Sequence, residues 1–176
     1  MRVEQLMSKQ VYWCRPEDTL DRAAQLMWDH DCGALPVCTG NGETHVAGMI
    51  TDRDICMSAL FQGRPLHEIR ISDAMTRESR VCRPEDSAAD AEKTMRGAQV
   101  RRLPVVSADG QLVGIISLAD IAREAAREAQ SQMARPEISE IEVGDTYAAI
   151  VESSRASAGA SSGQAQAGTS PPSSPR

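Results

Sequence analysis

Aromatic side chains are scarce in this sequence: one Phe, two Trp and two Tyr among 176 residues. A core built from it is aliphatic and draws on eight methionines. Lysine occurs only as Lys9 and Lys93, so positive charge is carried almost entirely by arginine. The net charge is −6, and an acidic chain lacks the electrostatic footprint that supplies most nucleic-acid affinity. The longest apolar run, Val46 to Ile50, is far short of the roughly 20 residues that span a bilayer. The opening MRVEQLMSK has no apolar stretch of the secretory kind, so the expected location is cytoplasmic, with neither membrane nor nucleic acid as partner. Five cysteines (Cys14, Cys32, Cys38, Cys56, Cys82) lack C-x-x-C spacing and read as reduced, half-buried thiols. His30, His45 and His67 show no metal-ligand spacing, so no metal site is expected. There is no phosphate-binding Walker loop, no G-x-G-x-x-G, no nucleophile elbow and no Cys with an oriented His. The expectation is a protein that is not an enzyme.

What is present is an internal repeat. Cys14-Arg15-Pro16-Glu17-Asp18 returns as Cys82-Arg83-Pro84-Glu85-Asp86, from position 14 to position 82, an offset of 68. The same offset joins Met7 to Met75, Met27 to Met95, and Leu35-Pro36-Val37 to Leu103-Pro104-Val105. Beyond a turn it becomes 66, pairing Gly48 with Gly114, Thr51 with Ser117 and Asp54 with Asp120. The two-residue difference falls in the turn, where length changes are tolerated.

Each copy reads as β-α-β-β-α. A short strand (about Val11 to Cys14; Ser79 to Cys82) leads into R-P-E-D, and Asp18 and Asp86 are the expected helix N-caps. Leu20, Ala23, Ala24 and Met27, matched by Ala88, Ala91 and Met95, recur at the spacing of one buried helical face. Two strands follow (Leu35 to Cys38 and His45 to Ile50; Leu103 to Val106 and Leu112 to Ile116), then a second helix opening at Thr51 or Ser117. The fold class is α/β (α+β). A unit of this size is marginal alone, burying only about 60% of its extended surface. Two copies covering each other as a pseudo-twofold pair are therefore expected.

The expected organisation is residues 1–64, 65–129, an extension over 130–152 and a disordered tail over 153–176. Ile138, Ile141, Val143, Ile150 and Val151 are enough to dock a short strand or helix on the core. From Ser153 onward nearly every residue is Ser, Ala, Gly, Pro or Gln, a composition that cannot offset its ordering entropy. Trp13 and Trp28 read as core or subunit-contact residues, and Glu17 with Asp18 as turn chemistry rather than an acid–base pair.

The sharpest local pattern is Gly48-Met49-Ile50-Thr51-Asp52-Arg53-Asp54, matched by Gly114-Ile115-Ile116-Ser117-Leu118-Ala119-Asp120. Both read G-h-h-[ST]-x-x-D at a strand-to-helix junction. One reading is a capping box with Asp in place of Glu, the acid also complementing the helix dipole. The other is a ligand site: a helix N-terminus welcomes an anion, the Thr51 or Ser117 hydroxyl adds a donor, and Asp54 or Asp120 can accept from a ribose diol. Gly48 and Gly114 would let the backbone approach a ligand closely.

These residues carry a family resemblance. M-[ST]-x5-C-R-P-E-D at the start of each copy, A-L-P-V and R-L-P-V in the middle, and G-M-I-T-D-R-D and G-I-I-S-L-A-D at the end resemble a tandem pair of CBS domains, a Bateman module. The resemblance spans about residues 3–127 and is to small stand-alone bacterial CBS pairs, such as the hypoxic response type. It implies a non-catalytic regulatory protein that binds AMP, ADP, ATP, or in some members S-adenosylmethionine or NAD, in clefts between the copies. It also implies a homodimer and output through an unknown protein effector, with no obligatory cofactor. Carried over, Asp54 and Asp120 hold ribose hydroxyls, and Thr51 and Ser117 meet phosphate or ribose. Adenine walls fall to Tyr12, Cys32, Ala34 and Met49 on one side, and to Arg80, Val100 and Ile115 on the other.

The copies also differ. Cys32-Gly33-Ala34-Leu35-Pro36 has the family's G-x-L-P form, while Val100-Arg101-Arg102-Leu103-Pro104 lacks the glycine, so two unequal clefts are expected. Arg101 or Arg102 fits either a phosphate clamp or a solvated surface. Arg80 either narrows its cleft or reaches a phosphate. Arg53 is a phosphate candidate or a solvated helix-face residue. The alternative to a sensor is a structural or interaction module whose clefts are vestigial.

Overall fold

The computed structural model describes residues 1–40, 44–77, 79–130 and 138–160. In chain order the elements are α1 (Val3–Leu6), α2 (Leu20–Asp29), β1 (Ala34–Thr39), β2 (His45–Thr51), α3 (Asp52–Gln62), two 3-10 turns (Leu66–Glu68, Ile71–Asp73) and β3 (Thr76–Arg77). They continue with α4 (Ala88–Ala98), β4 (Arg102–Val106), β5 (Leu112–Ser117), α5 (Leu118–Gln130) and α6 (Glu140–Ala160).

The two copies share one hairpin register. In β1/β2 Leu35 lies opposite Ile50 and Val37 opposite Gly48, and in β4/β5 Leu103 lies opposite Ile116 and Val105 opposite Gly114. Each hairpin carries a β-bulge at the same place, Val37/Cys38 and Val105/Val106. The expected first strand of each copy shrinks to a single parallel bridge, Cys14 to Val37 and Cys82 to Val105. The cause is the R-P step that follows: Pro16 and Pro84 have no N–H to continue a ladder. The helix caps also shift by one residue. Thr19 and Ser87 precede the helices, while Asp18 and Asp86 close the preceding turns by accepting from the Arg15 and Arg83 N–H groups at 2.8 and 2.7 Å.

Each copy's lead-in segment is packed into the core of the other. Val3, fully buried, belongs to the second core with Met95, Leu103 and Ile121, while Ile69 and Ile71 belong to the first with Leu20, Leu35 and Ile50. The backbone bonds repeat at the 68-residue offset. Val3 N–H donates to Asp86 O (2.9 Å) as Ile71 N–H donates to Asp18 O (2.8 Å), and Ala88 N–H to Met1 O (2.9 Å) as Leu20 N–H to Ile69 O (3.0 Å). Further on, Ser8 bridges Ile115, and β3 pairs with β2 through Met49 and Thr76. The Thr44 carbonyl also accepts from Leu112 N–H at 2.8 Å, joining the hairpin ends. This exchange ties the pseudo-twofold pair together through backbone hydrogen bonds and shared cores.

All five cysteines are free thiols. Burial pushes Cys14 and Cys82 up to about 12 and Cys38 up to about 11, so these three stay protonated at neutral pH and pack as small apolar groups. Trp28 is exposed, whereas Trp13 is half-buried with the Arg15 guanidinium 6.0 Å from its ring centroid.

The extension over 130–152 contributes a helix, and that helix runs past the expected boundary, to Ala160. Once its first turns are held by the core, each further residue adds only a propagation step, and Ala156, Ala158 and Ala160 favour it against Ser157 and Gly159 between them. Residues 161–176, the rest of the expected disordered tail, lie outside the described residues. No helix among the described residues is long and apolar enough to cross a membrane.

Candidate functional site: a cleft between the two copies

The helix starts after β2 and β5 are built by local chemistry. The Asp54 carboxylate Oδ2 accepts from the Thr51 N–H (2.9 Å) and Thr51 hydroxyl (2.7 Å), and Thr51 Oγ1 accepts from Asp54 N–H (3.2 Å). Asp120 and Ser117 repeat this at 2.9, 2.6 and 3.2 Å. The capping-box reading of both motifs therefore holds, with the short Asp side chain doing the work of Glu. The box uses only Oδ2. Asp54 Oδ1 takes no hydrogen bond among the described residues, while Asp120 Oδ1 accepts from the exposed Arg123 at 3.0 Å. Capping thus leaves an acceptor to spare in the first copy and a readily released one in the second.

Between the copies lies a cleft of about 1280 Å³ that reaches both helix starts. Of the residues singled out from the sequence, Ala34, Met49, Thr51, Arg53, Arg80, Val100, Arg101 and Ser117 line it, with Arg102 beside them. Asp54 and Asp120 stand behind Thr51 and Ser117, half-buried, and are not among the lining residues. Arg102 lies near enough to Cys32 for its charge to oppose the burial that raises that thiol.

Five expected site residues lie elsewhere, among them Cys32, which packs against the first core. Tyr12 stacks on His30, ring centroids 3.3 Å apart, beside a separate hollow of about 370 Å³. Ile115 forms backbone bonds with Ser8 in both directions. Gly48 and Gly114 do permit a close approach, but to the chain itself: a Cβ on Gly48 would meet the Thr76 carbonyl, and one on Gly114 the Met7 side chain and Ser8 O. The expectation that these glycines make room for a ligand is corrected, because the exchanged lead-in segments fill that room.

The cleft also has walls that sequence reasoning missed. Ser79 Oγ is buried without a hydrogen-bond partner among the described residues, and Ser79 lines the cleft. The α6 residues Val143, Gly144, Tyr147, Ile150 and Val151 form its far side, a spacing of one helical face. The apolar run from Ile138 to Val151 was visible, but not the groove it enters.

The sequence matches the CBS domain family over residues 3–60 and 71–127. It is 38% identical over 120 residues to CBS domain-containing protein YhcV of Bacillus subtilis, covering 68% of this chain and 82% of that one. To Hypoxic response protein 1 of Mycobacterium tuberculosis it is 36% identical over 118 residues, covering 67% and 80%. The crystal structure of Hypoxic Response Protein I with two coordinated zinc ions matches with a TM-score of 0.62 at 35% identity, covering 70% of this chain and 98% of that one. Among the described residues here, no three His, Cys, Asp or Glu side chains converge as a metal site would need. The structure of CBSX2 in complex with AMP matches with a TM-score of 0.61 at 26% identity, covering 73% and 98%.

Proposed function

We propose, from the premise that this chain belongs to the CBS domain family, that it is a non-catalytic sensor whose inter-repeat cleft binds an adenosyl nucleotide of the AMP, ADP or ATP class. The observation that carries the reading is the cleft, which brings both G-h-h-[ST]-x-x-D helix starts and the unpartnered Ser79 hydroxyl to one space. Binding of AMP by the related CBSX2 supports it. Asp54 and Asp120 supply acceptors for ribose hydroxyls through the oxygens that capping leaves over, and Thr51 and Ser117 become phosphate donors when their hydroxyls turn away from those carboxylates. Signalling is linkage: a ligand that fits one closure of the two copies better shifts their equilibrium, and a bound protein partner reads the shift.

The test is thermal unfolding with AMP, ADP, ATP, S-adenosylmethionine and NAD. A ligand at 100 times its dissociation constant adds about 2.7 kcal/mol, a rise of about 5 to 10 °C for a chain of this size. Asp54→Asn with Asp120→Asn is expected to abolish that rise. Each amide oxygen keeps the cap while the amide NH2, a donor, faces the diol. The complete capping boxes favour the alternative reading, a structural module with vestigial clefts. That reading is the one supported if no adenosyl compound shifts the transition.

The homodimer is proposed on a different surface. Trp28, Leu60 and Phe61 are 84%, 68% and 78% exposed on α2 and α3, whereas the matching helices α4 and α5 carry α6. The first copy thus lacks the cover the second has, and a second copy of this chain supplies it. Sedimentation should give a dimer that Phe61→Glu converts to a folded monomer. A monomeric wild-type chain would refute the dimer.

A further inference from the structure

We propose that the cleft is selective for ligands carrying two or more phosphates, and discriminates against a monophosphate and against a cationic adenosyl sulfonium. The inference rests on the reading that the cleft is a ligand site, and it concerns what that site takes. Arg53 at the start of α3, Arg80 ahead of α4, and Arg101 and Arg102 at the mouth of β4 all line the same space. Asp52 is the one carboxylate among the lining residues. The ion pairs among the described residues engage Arg2, Arg64, Arg96, Arg123 and Arg127, and none of these four. A chain of net charge −6 therefore gathers along one cleft four arginines without an ion-pair partner among the described residues, Arg53, Arg80 and Arg101 exposed at it and Arg102 half-buried.

Like charges gathered in a cleft repel one another and focus a positive field on its interior. An anion relieves both costs, and guanidinium forks bind phosphate through paired, charge-assisted hydrogen bonds. The N-termini of α3 and α5 open on the same space but are already capped by Asp54 and Asp120, so the arginines carry the positive charge there. A single phosphate cannot satisfy four guanidiniums entering from three parts of the chain, whereas a run of two or three can bridge them. The volume agrees: about 1280 Å³ exceeds the roughly 300–1,000 Å³ of a pocket for one small ligand. S-adenosylmethionine, with a sulfonium and an ammonium against one carboxylate, brings net positive charge to a positive site.

Isothermal titration of the full chain with AMP, ADP, ATP, S-adenosylmethionine and inorganic tripolyphosphate tests this. Affinity should rise about tenfold for each added phosphate, fall steeply with salt, and be weakest for S-adenosylmethionine. Arg80→Gln with Arg101→Gln should weaken ATP far more than AMP and so flatten the ATP-to-AMP ratio to within about threefold. AMP or S-adenosylmethionine binding as tightly as ATP would overturn the charge selection and leave the adenosyl reading standing. Tripolyphosphate binding as tightly as ATP, and losing it in the double variant, would support the polyanion site while removing the nucleoside from the reading. Silence from both ATP and tripolyphosphate would overturn the inference and the proposed function together.

Discussion

Gly48→Ala is expected to destabilise the protein by about 3 kcal/mol, and Gly114→Ala by only about 1 kcal/mol, the upper and lower ends of what an extra methyl costs in a packed site. The two glycines are equivalent in the repeat and sit opposite equivalent residues, Val37 and Val105, yet their neighbours differ in stiffness. A Cβ on Gly48 is driven into the Thr76 backbone carbonyl. Thr76 cannot retreat easily, because β3 pairs with β2 through Met49 and Gly48, and Ile71 just before it is fully buried in the first core. The corresponding Cβ on Gly114 meets Met7 Sδ at 2.5 Å and Cγ at 3.1 Å, with Ser8 O at 3.2 Å. A methionine side chain has three rotatable bonds and swings aside at small cost, leaving the tight but tolerable contact with Ser8. Urea denaturation of the two variants decides the matter. Equal losses, or a larger loss at Gly114, would mean that β3 does not hold Thr76 as described.

That asymmetry marks where sequence legibility ends. Leu35, Val37 and Ile50 could be aligned with Leu103, Val105 and Ile116 from spacing alone, because hairpin pairing is local and both copies obey it. The capping boxes at Thr51 and Ser117 were legible for the same reason, being completed within four residues. Thr19 and Ser87 were missed as caps because Asp18 and Asp86 stand next to them, and all three residue types favour that position. The exchange of lead-in segments was not legible. Val3, Ile69 and Ile71 stand in short segments outside any periodic pattern, so spacing does not say which copy buries them. The glycines likewise announced a close approach without naming what approaches, and Tyr12 found His30 rather than the cleft. For the site, the helix starts were readable as motifs, while Ser79 and Tyr147 reach the cleft only through long-range packing that no motif encodes.

Thr146→Val should cost about 3 kcal/mol, although valine fills the same volume and leaves no cavity. Thr146 is fully buried where α6 crosses α4. Its hydroxyl donates to Glu92 Oε1 at 2.5 Å and accepts from Arg96 Nε at 2.9 Å, and Arg96 also reaches the Glu142 carbonyl at 3.1 Å. Glu92 is itself buried, and its remaining partner, the Arg96 guanidinium, stands at 3.7 Å. Removing the hydroxyl leaves the buried Glu92 carboxylate without a hydrogen-bond donor within bonding distance among the described residues, only the Arg96 guanidinium at 3.7 Å, which costs more than a lost neutral hydrogen bond. Thr146→Ser keeps the hydroxyl and gives up one methyl, so it should stay within about 1 kcal/mol of wild type. A serine variant as unstable as the valine variant would show that packing, not the Glu92–Thr146–Arg96 chain, holds the helix. The consequence reaches the cleft, because Val143, Tyr147 and Ile150 form its far wall only while α6 stays seated on α4 and α5. Thr146→Val should therefore weaken ligand binding as well as stability, and Thr146→Ser should restore both together.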